Sequence, residues 1–334
     1  MRAILAFVLL LMVQTLYSGD ASENVKSARR HGARARIVLR CVDQDGQAVS
    51  NATVMSGVSL DGNPETTTQM NGKTDTNGCF VVDGKSNGEL GCYCKKIGFY
   101  DTCETIRLEQ FPGAFVSGGR WQPYGATNTV VLKRKVNPVA MYCKTVNVAL
   151  PIKGQDFGFD CKVGDLVKPY GSGSEPDFIL NYSLVYDTNS VWNATNHLYI
   201  SFTPPNGAIV LKADESSQMR TVYAAPENGY GRQIVFYYKG ETKLRREKKE
   251  FLADEYIVFK SRTEHAANGC ETNMHFGKII SRGFWYGENL KDGVGGGVVF
   301  SYFWNPTPND RNLEFDGEHN LFNLGRDESW PHDP

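Results

Sequence analysis

From Ala35 onward the chain is built of short apolar runs in which alternate positions are polar, separated by clusters of glycine, asparagine and aspartate. Arg36 to Val42 is the first run. The turn sequence Asp43-Gln44-Asp45-Gly46 ends it, and Ala48 to Val54 follows. After a polar stretch to Gly72 and a second turn at Asp75-Thr76-Asn77-Gly78 come Cys79 to Val82, Leu90 to Ile97 and Thr102 to Leu108. Alternation of period two over such lengths, with turn chemistry between the runs, predicts the strands of a small β-sandwich rather than helices. A break follows Val130-Val131-Leu132, where Lys133-Arg134-Lys135 leads into Asn137-Pro138. Beyond it the pattern resumes at Val146 to Leu150, Phe178 to Tyr186, His197 to Phe202, Ala208 to Lys212, Gln233 to Tyr238, Tyr256 to Lys260, Lys278 to Ile280 and Val298 to Trp304. That many runs predict a second, larger β-sandwich or jelly-roll.

The first residues break this pattern. Met1 and Arg2 precede an apolar run from Ala3 through Val13, too short for the roughly 20 apolar residues that span a bilayer, and of the form of a secretory signal peptide. Gly19 and Ala21 place small residues at the -3 and -1 sites of a cleavage after Ala21, with Ser18 as the alternative. Residues 22–34 are polar and basic without apolar periodicity and predict a flexible leader. The chain therefore divides into a signal peptide (1–21), a leader (22–34), a first β domain (35–135) and a second (136–334). It is expected to be secreted or periplasmic, with no transmembrane segment.

Export changes the meaning of the cysteines. All 8 lie beyond the signal, and an even number in an oxidising compartment favours disulfides over thiols. Five precede residue 110 and three follow it, so complete pairing would need a bridge between the halves, unless one or two stay free and buried. If the strands flanking Ile97 to Tyr100 form a hairpin in simple register, Cys94 faces Cys103, and this pair is the expected bridge. A formal net charge of -1 argues against a general nucleic-acid binder.

Three segments of the first β domain carry a resemblance: IVLRCVDQDGQAVSNATV, GKTDTNGCFVV and LGCYCKKIGFYDTCETIRL. They resemble the carboxypeptidase regulatory-like domain, at Cys41, Asp43, Gly46, Val49, Ala52 and Val54, then Thr74, Asp75, Gly78 and Phe80, then Lys95, Gly98 and Phe99. Cys41 departs from the family, replacing an apolar residue of the first strand. The resemblance implies a transthyretin-like seven-stranded sandwich and an accessory module without an active site. NPVAMYCK, GFDCKVGDLVKPYG, DEYIVFKSR and FSYFWNPTPNDRNLEFD are similar to segments of uncharacterised exported bacterial proteins that carry such a domain first. This second resemblance extends the architecture over nearly the whole mature chain and adds no mechanism.

Candidate chemistry is sparse. Gly72-Lys73-Thr74 lacks the glycine a phosphate loop needs at position 67, and no G-x-S-x-G marks a hydrolase nucleophile. A transthyretin-like hydrolase would end in Tyr-Arg-Gly-Ser, which is absent. The six histidines show no metal spacing, although His265 and His275 flank Cys270. Asp43-x-Asp45-Gly46 and Asp75-x-Asn77-Gly78 offer oxygen ligands for calcium but lack the distal glutamate of a full loop, and tight turns need the same residues. Lys243 to Glu250 interleaves basic and acidic residues, which reads as a solvated face rather than a polyanion site.

Two features are more distinctive. Phe300, Tyr302 and Trp304 share one face of a strand, with Phe284-Trp285-Tyr286 nearby in sequence. Such a face is most often core, and otherwise a platform for sugar rings, with Trp285 and Trp304 as its anchors. Asn305 to Asp316 is stiffened by two prolines, and its Arg311, Glu314 and Asp316 serve either a loop-anchoring network or a ligand site. The expectation is thus an exported non-catalytic binding or structural protein needing no cofactor or metal, its partner a protein or polysaccharide of the cell envelope. The alternative is a glycan-binding protein or glycan-active hydrolase using the C-terminal aromatics and carboxylates.

Overall fold

The computed structural model describes residues 24–59, 67–187, 190–214, 216–240, 246–249, 254–285, 296–315, 317–324 and 331. The signal peptide expected over residues 1–21 lies outside them. The chain is all-β and divides into two compact units, Met1–Lys135 with Ser216–Gln218, and Val136–Glu215 with Met219–Pro334.

In the first unit the strands are β1 (Ala33–Val42), β2 (Thr53–Ser59), β3 (Thr67–Lys73), β4 (Cys79–Ser86), β5 (Glu89–Lys95), β6 (Thr102–Arg107), β7 (Phe115–Ser117), β8 (Arg120–Gln122) and β9 (Ala126–Val131). One sheet runs β4-β1-β8-β7 with β9 also on β1, and the other runs β3-β2-β5-β6. Strict alternation in β1 turns Ala33, Ala35, Ile37, Leu39 and Cys41 inward, where they meet Val54, Leu90, Cys92 and Cys94 of the facing sheet. The β7–β8 hairpin takes the described strands to nine, where the resemblance implied seven. Gly78, at a φ of +75°, completes the Asp75 turn, and a Cβ there would lie 2.4 Å from the Cys41 carbonyl.

Two expectations for this unit change. Residues 24–31 are helical rather than a flexible leader. Val25 and Ala28, three residues apart on one helix face, pack on the core, and Gly32 ends the helix with a φ of +72° and an N–H donated to the Ala28 carbonyl. The Cys94–Cys103 bridge is also corrected. The β5–β6 register sets Cys94 opposite Thr102 and Cys103 opposite Tyr93, so the two sulfurs point to opposite faces of the sheet, Cys94 buried and Cys103 exposed.

The second unit holds β10 (Tyr142–Leu150), β11 (Asp156–Asp160), β12 (Asp165–Leu166), β13 (Phe178–Asp187), β14 (Ser190–Ser201), β15 (Gly207–Lys212), β16 (Gln233–Gly240), β17 (Arg246–Lys249), β18 (Glu255–Ser261), β19 (Glu264–His265), β20 (Glu271–Thr272), β21 (His275–Trp285) and β22 (Gly296–Asn305). A five-stranded sheet, β10-β22-β21-β18-β15, packs on a six-stranded one, β12-β11-β13-β14-β16-β17. The five-stranded sheet is buried on both faces. Ile257, Phe259, Phe300, Tyr302 and Trp304 fill the space between the sheets, while Tyr256, Val258, Phe276 and Phe303 meet Ala225, Leu313 and Phe315 on the outer side. Two-sided burial is why β18 and β22 are almost continuously apolar. Gly277 gives way to this packing, since a Cβ there would lie 2.4 Å from the Phe259 ring.

Candidate functional site

The segment after β22 covers the outer face of the five-stranded sheet and is held there by its own polar side chains. Asn305 is fully buried. Its Nδ2 donates to Asp310 Oδ2 at 3.0 Å and to the Asn312 carbonyl at 3.0 Å, while its Oδ1 accepts from the Thr307 N–H at 2.9 Å. Arg311 donates through Nε to the Ala225 carbonyl at 2.7 Å and through Nη1 to Glu227 Oε1 at 2.7 Å. Glu314, 1% exposed, accepts the backbone N–H of Val136 at 2.8 Å on one oxygen and that of Asn137 at 2.6 Å on the other.

These contacts anchor the loop, one of the two roles expected of it. Arg311 and Glu314 nonetheless share the lining of a depression of about 410 Å³ with Val136, Asn137, Tyr223, Ala224, Asp310 and Asn312. Both Glu314 oxygens are taken up by the backbone N–H groups of Val136 and Asn137. Asp316 lies outside the described residues.

The aromatic platform is corrected at Trp304. The residue is 2% exposed, with the Arg262 guanidinium 4.7 Å from the ring centroid and the His275 ring stacked 4.8 Å away at an interplanar angle of 23°. Phe300 and Tyr302 lie in the same core, so no sugar ring reaches this face. Trp285 ends β21 opposite Gly297, and its side chain lies outside the described residues.

Around Trp304 the structure assembles a cluster that the sequence reading did not single out. Asp177 precedes β13, Asp160 ends β11, Ser261 ends β18 and Arg262 follows it. Arg262 donates through Nε to Asp177 Oδ1 at 2.9 Å and through Nη2 to Asp177 Oδ2 at 2.8 Å and Asp160 Oδ1 at 2.8 Å, and its Nη1 reaches Glu175 at 3.1 Å. Ser261 Oγ donates to Asp177 Oδ1 at 2.6 Å and accepts the Trp304 indole N–H at 3.2 Å. The Cys161 N–H completes Asp177 Oδ2 at 2.7 Å, and the N–H groups of Ser174, at 3.0 Å, and Glu175, at 3.2 Å, complete Asp160 Oδ2. Asp160 and Asp177 are almost fully buried, yet every carboxylate oxygen has at least two donors.

Adjacent residues of a regular strand point to opposite faces, so Ser261 and Arg262 would not normally grip one carboxylate. Arg262 has a φ of +51°, in the left-handed region. This conformation ends β18 and brings both side chains onto Asp177 at a cost of order 1–3 kcal/mol.

Electrostatics follow the same pattern. Burial alone would lower the Arg262 pKa, but Asp177, Glu175 and Asp160 outweigh it and hold the guanidinium charged. Burial pushes Asp160 up, and the N–H groups of Ser174 and Glu175 together with Arg262 bring it below the ordinary carboxylate value. Burial lowers the His275 pKa, the Asn305 carbonyl opposes that, and Arg262 lowers it further, so His275 favours the neutral ring. The other turn aspartates serve as backbone acceptors. Asp43 Oδ1 accepts from the N–H groups of Asp45 at 3.0 Å and Gln47 at 2.8 Å, and Asp75 Oδ1 from those of Asn77 at 2.9 Å and Cys79 at 2.8 Å. Among the described residues no group of three His, Cys, Asp or Glu side chains converges as metal ligands. His265 is exposed on β19, whereas His275 is the residue stacked on Trp304.

No family model matches the chain. No curated protein matches it. Among solved structures, it is similar to 3-chlorocatechol 1,2-dioxygenase from Rhodococcus opacus at 12% identity and a TM-score of 0.24, covering 32% of this chain and 62% of that one. Hydroxyquinol 1,2-dioxygenase from Pseudomonas putida is similar at 13% identity and a TM-score of 0.23, covering 31% and 57%. The major pilin subunit of Bacillus cereus is similar at 13% identity and a TM-score of 0.23, covering 80% and 95%. The chain thus spans less than two thirds of either dioxygenase, and superpositions this loose carry no argument about what it does.

Proposed function

We propose that this chain is an exported, non-catalytic β protein that acts as a structural or binding component of the cell envelope or extracellular space. The observation that carries this reading is the saturated cluster at Arg262. Asp160, Asp177, Ser261 and Trp304 direct their polar atoms at one another and at the backbone, an arrangement that locks a sandwich and leaves no carboxylate poised for proton transfer. The N-terminal apolar run of Ala3 through Val13 supports export. The motif positions at Gly46, Gly78 and Gly98 support a carboxypeptidase regulatory-like module as the first unit, each glycine taking the positive φ that its turn requires. No helix of the described residues is long and apolar enough to cross a membrane.

A glycan-binding role is the second reading, favoured by the depression beside Arg311, where Asp310, Asn312, Asn137 and Tyr223 combine hydrogen-bonding groups with an aromatic ring. The test is one panel of envelope and extracellular polysaccharides incubated with the mature chain, scored for retained protein and for newly released reducing ends. Release of reducing ends would overturn the non-catalytic reading. Retention that disappears in a folded Tyr223→Ala variant assigns binding to the depression, and retention unaffected by it places binding elsewhere.

A further inference from the structure

The core of the first unit holds three thiols in a row, with Cys94 touching both of the others. Cys41 comes from β1 of one sheet, and Cys92 and Cys94 come from β5 of the other. All three face inward and are at most 2% exposed. Cys41 Sγ lies 3.5 Å from Cys94 Sγ, and Cys94 Sγ lies 3.5 Å from Cys92 Sγ. One buried cysteine is an ordinary small apolar residue. Three whose sulfurs touch across the gap between two sheets, in a chain that begins as an exported protein does, are a site for covalent chemistry.

We propose that Cys41 and Cys94 are joined in the mature protein by a disulfide that staples the two sheets of the first unit, and that Cys92 remains a thiol beside it.

Geometry selects the pair. The sulfurs of Cys41 and Cys94 need close only from 3.5 Å to the bond length of about 2.05 Å, a movement that side-chain rotation supplies. Cys92 and Cys94 also touch, but they are two residues apart on one extended strand. Their Cα atoms are therefore about 6.6 Å apart, near the upper end of what a disulfide spans, and both side chains run parallel into the core. Cys103, the partner expected from a simple hairpin, is on the far face.

The bond forms by two exchanges with a small disulfide such as oxidised glutathione. The Cys41 thiolate attacks one glutathione sulfur, the glutathione S–S bond breaks, and one glutathione thiolate leaves and takes a proton. The Cys94 thiolate then attacks the Cys41 sulfur of the mixed disulfide and the second glutathione thiolate leaves. Two protein thiols are oxidised, and two electrons and two protons end on two molecules of glutathione. Because the folded core admits no oxidant, both exchanges precede closure of the sandwich, and closure afterwards shields the bond from reductant. The proposal rests on the exported reading for its supply of oxidant.

The test uses the chain from residue 22 onward, refolded in a glutathione redox buffer, quenched with acid, alkylated with N-ethylmaleimide in denaturant and digested with trypsin without reduction. Arg40, Lys73, Lys85 and Lys95 bound the relevant fragments, 41–73 and 86–95. Mass spectrometry is expected to find these two joined, with one alkylated thiol, in the wild type, and joined equally in Cys92→Ala. In Cys94→Ala the linked species falls at least tenfold. Dithiothreitol is expected to cleave the link at least 100-fold more slowly in the folded protein than in denaturant. Fragment 41–73 recovered fully alkylated from the wild type, or a link lost in Cys92→Ala and kept in Cys94→Ala, overturns the proposal. The redox buffer supplies the oxidant whatever the cell does. Failure of the exported reading is recorded separately, by fractionating cells that express the 334-residue chain.

Discussion

Arg262 and Asp177 meet through two parallel hydrogen bonds, Nε to Oδ1 at 2.9 Å and Nη2 to Oδ2 at 2.8 Å, and the guanidinium lies against the Trp304 ring while it does so. A planar fork, a carboxylate and an aromatic face are what arginine serves best and lysine cannot. Arg262→Lys is therefore expected to destabilise the protein by about 2–4 kcal/mol, since an ammonium makes one contact where the fork makes several. Arg262→Gly relieves the left-handed backbone yet is expected to cost more than Arg262→Lys, because the charge is worth more than the strain. Urea unfolding at neutral pH measures both, and the reverse order would mean that strain dominates.

Acid should weaken the second unit in two stages. His275 has a folded pKa below its unfolded value of about 6.5, so the unfolded chain takes up the proton first and stability falls as pH drops through that value toward the folded one. Asp160 has a folded pKa below the unfolded value of about 3.9, so its contribution is complete above that value and is lost as pH falls through the folded one. Unfolding free energies from pH 7.5 to 3 are expected to fall in the wild type from about pH 6.5 downward. A His275→Gln variant should be flat until the carboxylates titrate. A flat wild-type profile between pH 7 and 5 would contradict this assignment.

Lys278 is fully buried on β21, donating to Thr221 Oγ1 at 2.8 Å and to the Leu313 carbonyl at 2.9 Å, with the Phe303 ring centroid 4.7 Å away. Its cost of burial is met by these neighbours, so truncation should hurt more than apolar replacement. Lys278→Ala is expected to lose about 3–5 kcal/mol and Lys278→Met at least 1 kcal/mol less, as thermal unfolding would record. Equal losses would mean that packing alone matters there.

Glu314 holds the N–H groups of Val136 and Asn137 on its two oxygens. Glu314→Gln replaces one acceptor with a donor that faces an N–H, for an expected loss of about 1–3 kcal/mol. Hydrogen exchange of the Val136 and Asn137 amides reads this locally, and protection there should fall at least tenfold while the core of β13 and β18 stays protected. Unchanged protection would mean that the carboxylate does not anchor that segment.

The strands were legible where apolar and polar residues alternated, as at β1, or where apolar residues ran nearly unbroken, as at β22. β3 escaped notice because its residues, Thr67 to Lys73, are nearly all polar, as an edge strand tolerates. The segment from Asn305 to Glu314 was visible through its prolines and charges, but its two possible roles differ only in where the side chains point. The Arg262 cluster left almost no trace. Its members are spread over 102 residues from Asp160 to Arg262, and nothing local shows that one arginine will meet three carboxylates. The local hint is a serine and an arginine one residue beyond the apolar run of β18, after Lys260. The hairpin register that would have paired Cys94 with Cys103 depends on a turn whose length fixes which face each residue takes.

The central claim is that the buried charges of the second unit hold the sandwich together and are not reserved for a ligand or a reaction. A double-mutant cycle on Arg262→Met and Asp177→Asn, followed by urea unfolding at pH 7, tests it most directly. Each single substitution is expected to cost about 3–5 kcal/mol and the pair to cost less than the sum, with a coupling of about 1.5–3 kcal/mol. Single variants as stable as the wild type or more so would contradict the claim, because groups held for function are typically kept at the expense of stability.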